Sequence, residues 1–109
     1  MIEKTIRCLL ESGDVLFKYP LKVYCRKDAP GEGVLVVSVP KRRFKRAVKR
    51  NLLKRRIREA CRRSALRDSF SGDMMIVYIG EKVEDYETIQ SSVRFLIEKI
   101  AGVASGKAH

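Results

Sequence analysis

Apolar and polar positions along this chain follow two periods, and the switches between them divide it into six elements. Residues 2–12, IEKTIRCLLES, place Ile2, Ile6, Leu9 and Leu10 at helical spacing before Gly13. That pattern predicts a short amphipathic helix. Residues 21–26, LKVYCR, alternate strictly, with Leu21, Val23 and Cys25 on one face and Tyr24 on the other, as a strand requires. The segment 28–33, DAPGEG, is turn chemistry. VLVVSV at 34–39 is an unbroken apolar run rich in β-branched residues, the signature of a central strand covered on both faces. The short loop between these two strands predicts an antiparallel hairpin.

Pro40 closes that strand, and a helical period runs from about Phe44 to Ser64. Phe44, Ala47, Val48, Leu52, Ile57, Ala60 and Cys61 are assigned to its inward stripe. A loop at 69–73, SFSGD, leads to a second buried-type strand, MMIVYIG at 74–80. Asp85 is placed to cap a final helix from Tyr86 to Ala101, with Ile89, Val93, Leu96, Ile97 and Ile100 as its apolar face. The order is helix, strand, strand, helix, strand, helix. This predicts a single domain of mixed helices and strands, residues 1–109, with 101–109 as a frayed tail. The strand–helix–strand stretch predicts two parallel neighbours in one sheet.

Charge changes the picture at one place. Lys41 to Arg67 holds fourteen Lys or Arg residues and one acid, Glu59, a net of +13. The whole chain carries +11, so the other residues are slightly acidic. A basic element on a near-neutral body is the footprint of a surface for a polyanion. Within the segment Arg46, Arg50, Lys54, Arg58 and Arg62 form an i, i+4 row, flanked by Asn51 and Arg55. Like charges at that spacing destabilise a helix by a few tenths of a kcal/mol per pair. Ten of the fourteen cations are arginines, whose guanidinium forks suit bidentate phosphate contact and stacking on bases.

Other chemistry is thin. Cys8, Cys25 and Cys61 are odd in number and form no CxxC pair, so reduced, buried thiols are expected. The sole histidine is His109, the last residue. The acids are scattered, apart from Glu81, Glu84, Asp85 and Glu87 ahead of the last helix, where they favour the helix dipole. No protein catalytic centre or metal site emerges, and no small-molecule substrate is implied. No apolar run reaches the roughly 20 residues that span a bilayer. The N-terminus lacks the unbroken apolar core of a signal peptide, so an unexported, cytoplasmic protein with no membrane partner is expected.

The stretch VSVPKRRFKRAVKRNLLKRRIREACRR resembles the signature of the protein subunit (protein component) of bacterial ribonuclease P. That signature joins a Ser-Val strand end to an Arg-Asn-Arg-x-Lys-Arg helix with a further Arg-Glu. Arg50, Asn51, Lys54, Arg55, Arg58 and Glu59 match it. Leu52 stands where the family has Arg, Pro40 where it has Ser, and the segment before Arg50 is one residue longer. Ile6 and Leu10 occupy positions where the first helix of the family often carries aromatics.

The resemblance implies an α/β (α+β) two-layer sandwich, a small mixed sheet with an unusual left-handed strand–helix–strand crossover, against the usual rule. It also implies a protein cofactor of a ribonucleoprotein endoribonuclease. In that reading the ribonuclease P RNA hydrolyses precursor tRNA with Mg2+ that it largely binds itself, leaving the mature 5′ end. Arg50, Asn51, Lys54, Arg55 and Arg58, with Arg46 and Arg62, would bind the catalytic RNA. Lys41, Arg42, Arg43 and Lys45 would meet phosphates at the strand–helix corner. Ile6, Leu10 and Tyr24 would line a cleft for the 5′ leader, with stacking left mainly to Tyr24. Phe17 and Tyr19, between helix and strand, are candidates for added stacking or for core and rim packing. The alternative reading is a structural RNA-binding protein, ribosomal or chaperone-like, without a role in cleavage.

Overall fold

The computed structural model describes residues 7, 10, 11, 13–26, 35–64 and 72–104, the last four through their backbone alone. Strands β1 (Asp14–Lys18), β2 (Leu21–Arg26), β3 (Leu35–Ser38) and β4 (Asp73–Tyr78) form one sheet in the order β1-β2-β4-β3. Helix α1 (Ala47–Arg63) connects β3 to β4, and helix α2 (Tyr86–Ala104) follows β4. Pairs β1–β2 and β2–β4 are antiparallel, while β3–β4 is parallel. The two-layer α+β architecture is therefore as expected, including a parallel pair joined through the basic helix.

Four expectations about the elements need correction. Residues 14–18, read as a connection, form β1, which pairs with β2 through the Tyr19–Pro20 turn. Strands β2 and β3 are not a hairpin, because β1 and β4 occupy both edges of β2. Nor is β3 central: it is an edge strand, mostly half-buried, and the strand buried along nearly its whole length is β4. The last helix also continues past residue 101 to Ala104. Of the predicted first helix, Arg7, Leu10 and Glu11 have helical backbone, and the rest lies outside the described residues.

Period-two alternation sorts the sheet into two faces. Leu21, Val23 and Cys25 from β2, Val37 from β3, and Met74, Ile76 and Tyr78 from β4 point to the helices. They meet Leu53, Ile57, Ala60 and Cys61 of α1 and Ile89, Val93, Leu96, Ile97 and Ile100 of α2. Cys25 and Cys61 are both buried, and burial, aided by the Asp14 charge, pushes the Cys25 thiol up to about 11. The stripe on α1 differs from the sequence assignment. At about 100° per residue, Leu53 lies near Ile57 while Val48 falls on the opposite side. Leu53 is accordingly fully buried and Val48 is 78% exposed. Leu52 is half-buried rather than in the core.

Asp85 caps α2 as predicted, its Oδ1 accepting from the Thr88 amide at 2.9 Å. That bond also holds its carboxyl below the usual range. Tyr78, wholly buried, donates to the Lys82 carbonyl and accepts from the Glu84 amide. Its ring packs edge-on against Phe44, with centroids 5.6 Å apart. Gly80 passes so close that a Cβ there would stand 2.9 Å from the Tyr78 ring.

Candidate nucleic-acid interface

The strand–helix corner is built before the helix begins. After β3, Val39 is buried, Pro40 accepts from the Arg43 and Phe44 amides, and Phe44 plugs into the core against Tyr78. With Phe44 held inward, Lys41, Arg42, Arg43, Lys45 and Arg46 are all exposed. Arg46 is the extended residue at the N-cap of α1 and makes no side-chain cap bond, and the first turn contains no acid. Carboxylates normally sit at this end of a helix, where the dipole is positive. Here cations replace them, and the local potential is raised further.

The cations of α1 fall into two groups. Those turned inward or sideways have work inside the protein. Arg50 Nη1 donates to the carbonyls of Phe44 and Lys45, each at 2.8 Å, tying the corner to the second turn of the helix. Arg56 Nη1 donates to the Glu84 carbonyl at 2.6 Å and links α1 to the segment ahead of α2. The outward group is Lys49, Arg55 and Arg58, all exposed, with Lys54 half-buried and the neutral Asn51 exposed beside them. Among the described residues these have no acidic partner.

Glu59 is the exception on that surface. It accepts from Arg62 and from Arg63 Nε, the latter at 2.9 Å. Hydrogen bonds from those two guanidiniums lower its carboxyl to about 2. Of the residues assigned to the polyanion from sequence, Asn51, Lys54, Arg55, Arg58 and Arg46 are thus presented outward. Arg50 is engaged by backbone carbonyls and Arg62 by Glu59.

The other sheet face carries a different chemistry. Val15, Tyr24, Met75 and Val36 form one row across it, and Phe17, Lys22, Val77 and Ser38 the next, by strand register. Tyr24 is half-buried, with Lys22 Nζ 5.2 Å from its ring centroid. Leu10 is 52% exposed, and Ile6 lies outside the described residues. At one end of this face Arg26 pairs with the buried Asp73 at 3.7 Å. Phe17 and Tyr19 are exposed, not core. A strand reading of DVLFK before the Tyr-Pro turn would have placed Phe17 beside Tyr24.

Among the described residues, no cluster of three His, Cys, Asp or Glu side chains could hold a metal ion. Within the same residues, no helix is long and apolar enough to cross a membrane.

The fold and its surface define an α+β sandwich that carries a cationic helix between a parallel pair of strands. The chain matches the Ribonuclease P family model over residues 3–101 and belongs to that family. It is 30% identical over 107 residues to the ribonuclease P protein component of Porphyromonas gingivalis, covering 89% of this chain and 78% of that protein. The fold is that of the RNase P protein from Thermotoga maritima (TM-score 0.76, 21% identity, 92% of this chain and 94% of that one). It is equally that of the Staphylococcus aureus RNase P protein (TM-score 0.71, 22% identity, 93% and 89%).

Proposed function

We propose that this protein is the protein cofactor of a ribonuclease P holoenzyme, assisting removal of the 5′ leader from precursor tRNA. The observation that carries the proposal is α1, where Lys49, Lys54, Arg55 and Arg58 on an outward face lack acidic partners among the described residues, on a chain of this family. Structured RNA offers phosphates at regular spacing, and a rigid helix offers arginine forks at its own regular spacing. Asn51, Lys54, Arg55 and Arg58, with Arg46 and Arg62, are assigned to the ribonuclease P RNA. Arg50 contributes through the geometry of the corner, with its remaining N–H donors available to the same RNA. Lys41, Arg42, Arg43 and Lys45 meet phosphates of either RNA. Tyr24, together with Leu10 and Ile6, takes the leader. Hydrolysis belongs to the RNA subunit and to Mg2+ held largely by that RNA, in the cytoplasm.

The deciding experiment mixes the purified protein with a ribonuclease P RNA and follows leader cleavage of a precursor tRNA at low magnesium. Stimulation beyond that of a generic basic protein, with no cleavage by the protein alone, is the expected result. An absence of stimulation would leave a structural RNA-binding protein in its place.

A further inference from the structure

Of six large hydrophobic side chains exposed among the described residues, four lie at one edge of the sheet: Val15, Phe17, Tyr19 and Phe95. The first two are on β1, Tyr19 is in the turn that ends it, and Phe95 is the α2 residue beside it. Lys18 Nζ lies 5.0 Å from the Phe95 ring centroid, and Lys99 Nζ 5.5 Å. With Lys22 over Tyr24, these are all the cation–π pairs among the described residues, and none involves a cation of α1. The exposed charges on β1 and α2 are Lys18, Arg94 and Lys99 against Asp14, Glu87 and Glu98, with Lys22 of β2 half-buried; the cations, not the acids, are the groups that lie on the rings.

Exposed apolar patches mark contact surfaces, and the lysines identify the partner. Lysine is depleted from the centres of protein–protein interfaces, yet here it covers the rings themselves. Single-stranded nucleic acid needs the opposite composition, ring faces for bases and cations for the backbone between them. The register makes the surface continuous. Phe17 faces Lys22 across the β1–β2 pair, so it is the diagonal neighbour of Tyr24 on the same face. The next residue, Lys18, points to the other face and reaches Phe95. An aromatic line therefore runs from Tyr24 to Phe17, over the edge strand, to Phe95.

We propose that the β1 edge is a second contact strip for single-stranded RNA. Phe17 and Phe95 stack bases, while Lys18, Lys22 and Lys99 meet phosphates, so the strip prolongs the leader path that begins at Tyr24. The proposal rests on the leader-binding reading given above. A base that stacks on Phe95 displaces an ammonium from the ring, and the freed lysine is then beside the adjoining phosphate. The strip also supplies aromatic surface that Ile6 and Leu10 do not.

The test uses the reconstituted holoenzyme and three ligands: mature tRNA, a precursor with a short leader ending near Tyr24, and a precursor with a long leader. Phe17→Ala and Phe95→Ala should weaken the long-leader precursor alone, by about 5- to 150-fold for each stacked base lost. Phe95→Leu keeps apolar bulk over β1 and should show the same selective loss. Lys18→Gln with Lys99→Gln should lower the log–log salt slope for the long leader by about 0.7 per phosphate contact. Unchanged affinity, or equal loss for all three ligands, would overturn the strip. If Tyr24→Ala alone impairs both precursors, the strip fails and the leader reading stands. A wild-type holoenzyme indifferent to the leader would overturn both.

Discussion

Helix α1 and the β1 edge both present cations, but they hold them differently. On α1 the exposed Lys49, Arg55 and Arg58 stand in water on a rigid rod, without acidic partners among the described residues. At the β1 edge Lys18 and Lys99 lie on the Phe95 ring, and Lys22 lies on Tyr24. The first arrangement costs folding free energy through like-charge repulsion and holds its spacing whatever the ligand does. The second gains a little from cation–π attraction and can exchange it for base stacking. A folded RNA with phosphates in fixed positions suits the rod. A strand without fixed structure suits the exchangeable edge.

The largest expected effect concerns what fixes the rod in place. Leu53 is fully buried, whereas Val48 on the opposite side is 78% exposed. Leu53→Ala should cost about 2–5 kcal/mol of unfolding free energy, measured by urea denaturation. Val48→Ala should stay within about 0.5 kcal/mol. Equal costs would place α1 in a different rotation, and the outward set of cations would change with it.

Next in size is Tyr24→Ala, which acts on the aromatic side of the comparison. It should weaken precursor over mature tRNA by about 1–3 kcal/mol if a base stacks there, read from equilibrium binding to the holoenzyme. Arg55→Ala should leave that discrimination unchanged and weaken both tRNAs through loss of assembled holoenzyme. Equal loss for both tRNAs in the Tyr24 variant would merge the two surfaces into one.

Within α1 the comparison sharpens to Arg50 and Arg55. Arg55→Ala together with Arg58→Ala should reduce the salt slope of RNA binding by about 1.4–1.8, at 0.7–0.9 per contact, and leave the melting temperature nearly unchanged. Arg50→Ala removes the tie between the helix and the Phe44 and Lys45 carbonyls. It should lower the melting temperature and change the slope less than the outward pair does. A full slope loss with intact stability would return Arg50 to the phosphate ligands.

The basic helix was legible in the chain because its charge, period and motif are all local. So were Asp85 as a cap and the parallel strands around α1, both consequences of short-range pattern. The inward stripe was less so. Leu52 and Leu53 are adjacent leucines, and only the rotation set by Phe44 and Ile57 decides which one is buried. The β1 edge was legible least. Phe95 and Lys18 are far apart in sequence and meet only because β1 pairs with the outer side of β2. The order β1-β2-β4-β3 rests on which strand claims each edge of β2, and alternation within a strand carries no record of that choice.

The smallest effect lies at Glu59, the one place where α1 shields its own cations. Its carboxyl sits at about 2 against an ordinary 4.5, because Arg62 and Arg63 donate to it. A depressed acid stabilises the fold above its unfolded pKa. That contribution fades as pH falls from about 4.5 through about 2, so acid should release both arginines late. An NMR titration of the Glu59 carboxyl should show a midpoint near 2, and a midpoint near 4.5 would mean that the arginines are free in solution. Glu59→Gln removes the anion at neutral pH and frees the Arg62 and Arg63 guanidiniums, already exposed, from their pairing with it. RNA binding should then tighten and its salt slope steepen by up to about 0.9 for each new contact. If binding is unchanged, the RNA ends before Arg62, and the footprint on α1 is confined to the turns between Arg46 and Arg58.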